Sequence, residues 1–393
     1  MSQRVSPSLA LFAGFATMGS MAASLYSRYP AFQQGFGLDT RQWGWLLFAL
    51  GLGGLTSHPM NQLMLSHWTS RQMLVRCGVA AGALMATLPW LPGLGALLGI
   101  AWLLGMLINA INVAVQCQGL LLQTHSGRNR MGRLHSMFYV GMATAALISS
   151  LAVTVGADLK WHFGLLGALI CLVYLIIAPY LLHDRTFTTL RTPDQPSPQA
   201  GRTRAVLALG AFGALATAVE GGVNGWVTLY LHEGLHLSAS AAPIGAATFS
   251  SAMMVGRVLS DYTVHRWGPR RVIQLGTLAA GMALAAAVLS HAWIAVFAAL
   301  VIAGLGQAAV FPVLFTQAGA LGGSAVSSVA SMGAGGGLVG PLLLARLAAL
   351  SSMLTVMLTV AGGLLMLSWR ADTVPAVWAP HASRLPEAKA DKA

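Results

Sequence analysis

Apolar runs about 20 residues long recur along the whole chain, and few folds tolerate that pattern. They fall at about 8–30, 42–65, 73–92, 95–121, 135–157 and 162–183, then, after a largely polar stretch from Asp184 to Arg204, at about 205–231, 240–261, 272–290, 293–317, 325–348 and 350–369. A run of this length crosses a bilayer as a helix, because a helix satisfies its own backbone where no water can. The eighth and eleventh runs are weak by hydropathy, since Ser238 to Ser251 and Ser324 to Gly340 are mostly small residues. Small residues suit close helix contacts in lipid, so both are kept as buried helices. Composition agrees: with 393 residues, 56% hydrophobic, 8% charged and a mean hydropathy of +0.70, the chain has too little charge to cover soluble domains. The expected class is an all-α membrane protein, with twelve transmembrane helices in two six-helix bundles. Residues 1–184 and 205–370 form the bundles, 185–204 a cytoplasmic linker and 371–393 a cytoplasmic tail. A soluble enzyme, a secreted disulfide scaffold and a disordered tail protein are excluded.

The net charge of +12 does not point to nucleic acid, because the positives fall in short runs between apolar segments, without a basic patch interleaved with aromatics. Topology explains them. With both termini inside, the cytoplasmic segments hold Arg4, Arg71, Arg76, Arg128, Arg130, Arg133, Arg185, Arg191, Arg202, Arg204, Arg257, Arg266, Arg270, Arg271, Arg370, Arg384, Lys389 and Lys392, or 18 of the 22 Lys and Arg. Arg28, Arg41, Lys160 and Arg346 are left for the outer side, the bias of a multi-pass protein of a bacterial inner membrane. Cys77, Cys117 and Cys171 sit inside apolar stretches as small hydrophobes, with no metal-type spacing. The run from Arg4 to Tyr26 imitates a secretory signal, but the spans that follow favour an uncleaved first helix.

An internal repeat supports the division into halves. His67-Trp68-Thr69-Ser70-Arg71-Gln72-Met73-Leu74 matches Arg266-Trp267-Gly268-Pro269-Arg270-Arg271-Val272-Ile273 at an offset of 199 residues, and Ser136-Met137 lies over Ser331-Met332 at 195. Two six-helix halves of the same orientation form a parallel repeat.

The most specific stretch runs from Gly256-Arg257 through Asp261 to His265-Arg266-Trp267-Gly268-Pro269-Arg270-Arg271. It resembles the loop signature between helices 8 and 9 of the major facilitator superfamily, and the 6+6 layout extends the resemblance over essentially the whole chain. The resemblance implies a gate in which Asp261 latches onto Arg257, Arg266 or Arg270. An Asp at a helix end beside several Arg residues gains charge-assisted hydrogen bonds, which fits that role; a merely topological basic loop is the alternative. The corresponding first-half loop, Ser57-His58-Pro59 through Arg71-Gln72, lacks both the Gly and the Asp, so a full latch is expected in the second half only.

Glu220 is the acid deep in an apolar run, where an ionisable group costs at least a few kcal/mol unless it faces a cavity or is neutralised. It is the candidate proton-coupling residue; a structural carboxylate is the alternative, and His135 is the nearest substitute. In Glu220-Gly221-Gly222-Val223-Asn224-Gly225-Trp226, Asn224 shares its face and the glycines loosen the helix. Arg28 is a candidate for an anionic substrate group or for snorkelling to the interface. The repeat offset sets Glu220 level with Met21, so Arg28 lies roughly 10 Å further out and a direct ion pair is not expected. Asn109, Asn112 and Gln116 share one face of the fourth run, and the offset places Gln307 next to the position matching Asn109. Because helices 1, 4, 7 and 10 line the cavity in the superfamily, the resemblance implies a substrate set of Arg28, Asn109, Asn112, Gln116, Asn224, Trp226, Gln307 and Phe311, with Trp226 and Phe311 for stacking. Interhelical hydrogen bonding is the alternative for each amide.

Gly337-Leu338-Val339-Gly340-Pro341 is similar to a Gly-Pro motif that superfamily antiporters carry on helix five, but here it lies on the eleventh run, and the fifth has no Pro. Arg28-Tyr29-Pro30, Glu220 to Trp226 and Gly304 to Phe315 together resemble a bacterial branch of rhizopine-associated and efflux-type membrane proteins. That resemblance implies a secondary transporter moving a small polar or amphipathic solute by alternating access, with proton-coupled export favoured. The alternatives are import of a sugar-like or organic-acid solute and a non-transporting receptor. The expected partners are a small-molecule substrate, protons and the lipid bilayer, with no nucleic acid, no cofactor and no metal, and the protein is read as a monomer. The sequence has no P-loop, zinc-hydrolase spacing or nucleophile elbow, which argues against an ATP-driven pump or an enzyme.

Overall fold

The computed structural model describes residues 6–126, 131–183, 200–321 and 323–374. Fifteen α-helices make up these residues: α1 (Pro7–Ser27), α2 (Tyr29–Phe36), α3 (Thr40–Thr56), α4 (His58–His67), α5 (Ser70–Thr87), α6 (Leu94–Ser126), α7 (Met131–Thr154), α8 (Leu159–Ile177), α9 (Ala200–Leu229), α10 (Ala242–Trp267), α11 (Pro269–Leu289), α12 (Trp293–Gln307), α13 (Val310–Leu321), α14 (Gly323–Leu350) and α15 (Met353–Trp369). Ten stretches among them are long and apolar enough to cross a membrane. Of the expected 185–204 linker, residues 185–199 lie outside the described residues, as do Arg4, Arg128, Arg130 and the tail beyond 374, while residues 200–204 belong to α9.

Two expected crossings are broken helices. The second divides into α3 and α4 at Ser57, where Pro59, in the first turn of α4, has no N–H to continue the ladder. The tenth divides into α12 and α13 across Ala308 and Ala309, with Pro312 in the first turn of α13. Together with α10, which is rich in Ala, Ser and Gly, α3 falls outside the ten, whereas the eleventh run, within α14, belongs to them. Proline at 341 lies inside α14 without interrupting it.

Local chemistry sets the boundaries. Asp39 and Thr69 close capping boxes with Gln42 and Gln72 at the starts of α3 and α5, satisfying helix N–H groups that have no partner within the helix. Between α10 and α11 the chain turns at Gly268, whose φ of 81° is open to glycine and costly for other residues, and Pro269 then occupies the first turn of α11. The 199-residue repeat is therefore a repeat of helix boundaries: α5 begins at Ser70 and α11 at Pro269.

Packing repeats as well. In the first half α1 packs on α7, α3 on α6, α5 on α8 and α5 on α6; in the second, α9 packs on α14, α10 on α12, α11 on α15 and α11 on α12. The first of these pairs shows why small residues are needed. A Cβ on Gly19 would stand 2.0 Å from the Phe138 carbonyl oxygen, and one on Gly336 would stand 1.9 Å from that of Ala214. The halves meet along two seams, α7 against α10 and α3 against α14. On the second seam a Cβ on Gly44 would fall 1.9 Å from that of Ala345. Trp43 donates its indole N–H to the Gly225 carbonyl at 3.5 Å, and Tyr29 covers the Trp43 ring at 4.5 Å. Ser150 donates to the Ser240 carbonyl between the halves. These contacts gather at the end of the bundle that carries Arg28.

Candidate functional site

Three polar side chains meet on the α7–α10 seam. Tyr139 of α7 donates its hydroxyl to Glu220 Oε1 of α9 at 2.7 Å and accepts from Arg257 Nη2 of α10 at 3.0 Å. One hydroxyl from the first half thus joins a carboxylate and a guanidinium from the second. The guanidinium also lies 5.2 Å from the centroid of the Tyr139 ring and 5.7 Å from that of Phe311, a cation held between aromatic faces. Tyr139 is buried, whereas Glu220 Oε2 and Arg257 Nε are buried atoms with no hydrogen-bond partner. Carboxylate and guanidinium come no nearer than 4.0 Å, so the hydroxyl is their bridge. Tyr26 of α1 lies within electrostatic range of Glu220, and His135 of α7 within range of Arg257. His135 also meets the Phe15 ring at 5.0 Å.

This geometry moves Arg257 out of the role expected for it. The sequence reading sets it at the cytoplasmic end of the eighth run as a latch partner of Asp261, but it is in the interior of α10, four residues and one helical turn before Asp261, and it turns to Tyr139. Asp261 is exposed, and among the described residues it forms no ion pair with Arg257, Arg266 or Arg270. Arg266 and Arg271 are exposed and Arg270 half-buried. Gly256 serves packing: a Cβ there would lie 2.6 Å from Ala308 Cβ, where α10 crosses the break between α12 and α13. Gly268 makes the turn already described. The expected latch residues therefore lie on α10 and α11, on either side of the Gly268 turn, and are not engaged.

The proposed cavity set separates into groups. Asn109, Asn112 and Gln116 are half-buried along α6, with Gln116 donating to Asn112 at 3.4 Å. Asn109 accepts from Asn61 at 2.8 Å, and Asn61 also donates to Ser57 at the α3–α4 break. Asn224, Trp226 and Gln307 are buried, and Gln307 donates to the Ala216 carbonyl at 3.1 Å. Asn224 Oδ1, Trp226 Nε1 and Gln307 Oε1 are left without partners, so polar capacity remains there even though Trp226 and Gln307 expose no surface for a ligand to stack on. Phe311 is half-buried against Arg257. Arg28 belongs to none of these groups; it is buried at the far end and donates to the Ala157 carbonyl at 2.9 Å. Sequence reasoning missed Tyr139, since a tyrosine within an apolar run carries no motif. It also missed Gln118, which ties α6 to Ser70 and to the backbone of Leu182.

Comparison with known proteins accords with this architecture. Residues 125–341 match the sequence model of the Major Facilitator Superfamily. The uncharacterized transporter y4wD of Sinorhizobium fredii is 30% identical over 369 residues, covering 90% of this chain and 94% of that protein. Membrane protein MosC of Rhizobium meliloti is 21% identical over 339 residues, covering 84% and 81%. In three dimensions the chain is similar to a mutant of the nucleoside transporter NupG, with a TM-score of 0.75 at 15% identity, over 93% of this chain and 98% of that one.

Proposed function

Because the chain belongs to the major facilitator superfamily, we propose that it is a secondary transporter in which Glu220, bridged by Tyr139 to Arg257, couples solute movement to protons. The observation that carries this reading is the position of the bridge. Tyr139 is in one half and both its partners are in the other, on a seam that must loosen when the halves rock. With Glu220 ionised, the carboxylate accepts from Tyr139 and balances Arg257. With Glu220 protonated, the acceptor is weakened and the guanidinium charge is uncompensated, free to be balanced by solute or water. A proton on Glu220 thus changes the energy of the seam, which is what coupling requires: a ligand shifts a conformational equilibrium only by its differential affinity for the two states. The half-buried α6 row Asn109, Asn112 and Gln116 supplies polar contacts for a small polar or amphipathic solute, and Asn224 Oδ1 and Gln307 Oε1, buried and unpartnered in this state, join it where the seam opens.

The same reading counts α3 with α4, and α12 with α13, as single crossings. Together with α10 this gives twelve crossings in two halves of six, with both termini in the cytoplasm of a bacterial inner membrane and a monomer as the working unit. Asp261 is then at the cytoplasmic end, and the state described is closed on the outer side with its latch released. The direction we favour is export, on the resemblance of Arg28-Tyr29-Pro30, Glu220 to Trp226 and Gly304 to Phe315 to efflux-type membrane proteins.

Reconstituted proteoliposomes test the function. A pH-sensitive dye in the lumen reports proton movement when solutes are offered singly, in a panel running from nucleosides, which NupG carries, to organic acids and polyols. Solute-dependent proton flux that disappears in Glu220→Gln supports the reading. Solute counterflow with no proton flux at any imposed gradient refutes the coupling, and opposite imposed gradients give the direction.

A further inference from the structure

A second site opens at the other end of the first half. Arg28 is 3% exposed, yet of its three nitrogens only Nη2 has an acceptor, the Ala157 carbonyl; Nε and Nη1 are buried and unpartnered. A guanidinium has five N–H donors, and Nε and Nη1 account for three of them. Burying a charge in this way is strongly unfavourable unless an anion faces it. The residue lines a cavity of about 750 Å³ formed by α1, α2, the 88–93 connection and the 153–160 connection. Four observations describe what would fit.

The charges around the cavity leave one positive charge unbalanced. Arg28 and Lys160 contribute cations and Asp158 one carboxylate. Asp158 is within electrostatic range of Arg28 but makes no ion pair with it, and its Oδ1 accepts from the Trp161 N–H at 2.8 Å as the cap of α8. His162, the other titratable group facing Arg28, is buried on α8. Apolar walls from Pro30, Phe36, Leu91 and Leu159 stand beside polar positions at Ser27, Gln34, Asp158 and Lys160, so the cleft has both an apolar and a polar part. The volume far exceeds a bare ion and falls within the roughly 300–1,000 Å³ of organic ligand sites. The rim carries Lys160 with its ammonium 4.3 Å over the Trp90 ring, and Trp90 and Trp161 are both exposed, the pattern of a membrane–water interface.

We propose that this cavity binds an amphiphilic monoanion, its carboxylate or phosphate oxygens on Arg28 and its apolar body along α2 and the 88–93 connection. The ligand is either an anionic lipid of the membrane or an amphiphilic solute; both present the same oxyanion at the same depth. One wall residue, Ala239, comes from the second half, on the loop whose Ser240 carbonyl accepts from Ser150. The site is therefore complete only while the halves are closed at this end, and its occupant stabilises that state.

Thermal unfolding of the purified full-length protein tests the site without reference to transport, so a failure here leaves the Glu220 reading standing. Dihexanoyl phosphatidylglycerol and octanoate are titrated against the uncharged-overall controls dihexanoyl phosphatidylcholine and octyl glucoside. The anionic member of a pair should stabilise the protein and its control should not, with phosphatidylglycerol the stronger if the source is lipid and octanoate if it is a solute. Arg28→Met, which keeps the stem and removes the charge, should weaken the midpoint at least about tenfold, the loss of charge-assisted hydrogen bonds. Ala31→Trp fills the cavity while leaving the guanidinium in place, and it decides the matter if Arg28→Met does not fold. Equal stabilisation by charged and control amphiphiles, or an unchanged midpoint in Ala31→Trp, overturns the proposal.

Discussion

Tyr139→Phe isolates the hydroxyl on which the coupling reading depends. Phenylalanine keeps the ring, and with it the face that Arg257 covers at 5.2 Å, so packing and the cation–π contact survive. What goes is the 2.7 Å bond to Glu220 and the 3.0 Å bond from Arg257. Hydrogen bonds to charged groups contribute about 1.5–3 kcal/mol each net of water. Water enters a seam that opens, so the difference between the two conformations is nearer to one such bond than to two. At 1.4 kcal/mol per factor of ten, the described state should lose roughly 10- to 150-fold in its equilibrium against the alternative. Spin labels at Lys160→Cys and Ser290→Cys, exposed sites in the two halves at the Arg28 end, read that shift as a longer distance distribution. Proton-driven transport in proteoliposomes should fall in parallel, while counterflow at equal pH falls less. An unchanged distance distribution together with unchanged transport would refute the reasoning, because it would mean that the bridge contributes nothing to the seam.

Glu220→Gln keeps an acceptor for Tyr139 but removes the charge, so it should abolish pH-driven accumulation and retain exchange. Because it leaves Arg257 without a counter-charge, at about 3–5 kcal/mol for a broken buried pair, the further change Arg257→Met should restore thermal stability. Asp261→Asn should leave the described state as stable as before, since Asp261 forms no ion pair in it, but should destabilise the opposite, latched state, shifting the population towards the described one and slowing turnover; equal turnover in transport assays would remove support for a latch. Gly44→Val should bar closure at the Arg28 end, where even a Cβ would fall 1.9 Å from that of Ala345, and should stop transport without loss of expression; full activity would place the seam elsewhere. For topology, an impermeant thiol reagent added outside intact cells should label Lys160→Cys and spare His265→Cys, and the reverse result would invert the assignment.

The helices were legible because lipid leaves the backbone few choices, so apolar length alone places α1, α5 to α9, α11 and α15 within a few residues, and the small residues of the eleventh run add α14. The breaks were less legible. Pro59 and Pro312 are both visible in the sequence, yet each occupies a first helical turn, where proline is tolerated, and only the neighbouring Ser57 and Ala308-Ala309 geometry shows that the ladder stops. Glu220 was legible by cost, because a carboxylate in an apolar run demands an explanation. Its partner was not. The charge count and the motif 256–271 assign Arg257 to the cytoplasmic face although the 240–261 run contains it, and nothing one-dimensional shows that α10 turns it to face α7. Tyr139 was hidden for the same reason, as the bridge exists only where three helices from two halves converge.

The repeat that makes the fold readable also explains why the site is not symmetric. Shifted back by 199 residues, Glu220 falls on Met21 and Arg257 on His58; shifted forward by 195, Tyr139 falls on Ala334. None of the three has a chemical equivalent in the other half, although the helices that carry them do. Duplication therefore supplies the scaffold and the two seams, and the charged bridge is laid across one of them only. The other seam, α3 against α14, is held by small residues such as Gly44 and Ala345, whose contact depends on shape and is indifferent to protonation. On the proposed coupling, one seam's energy follows a proton and the other's follows geometry alone, so protonation of Glu220 would release one side of the interface while the other acts as the pivot.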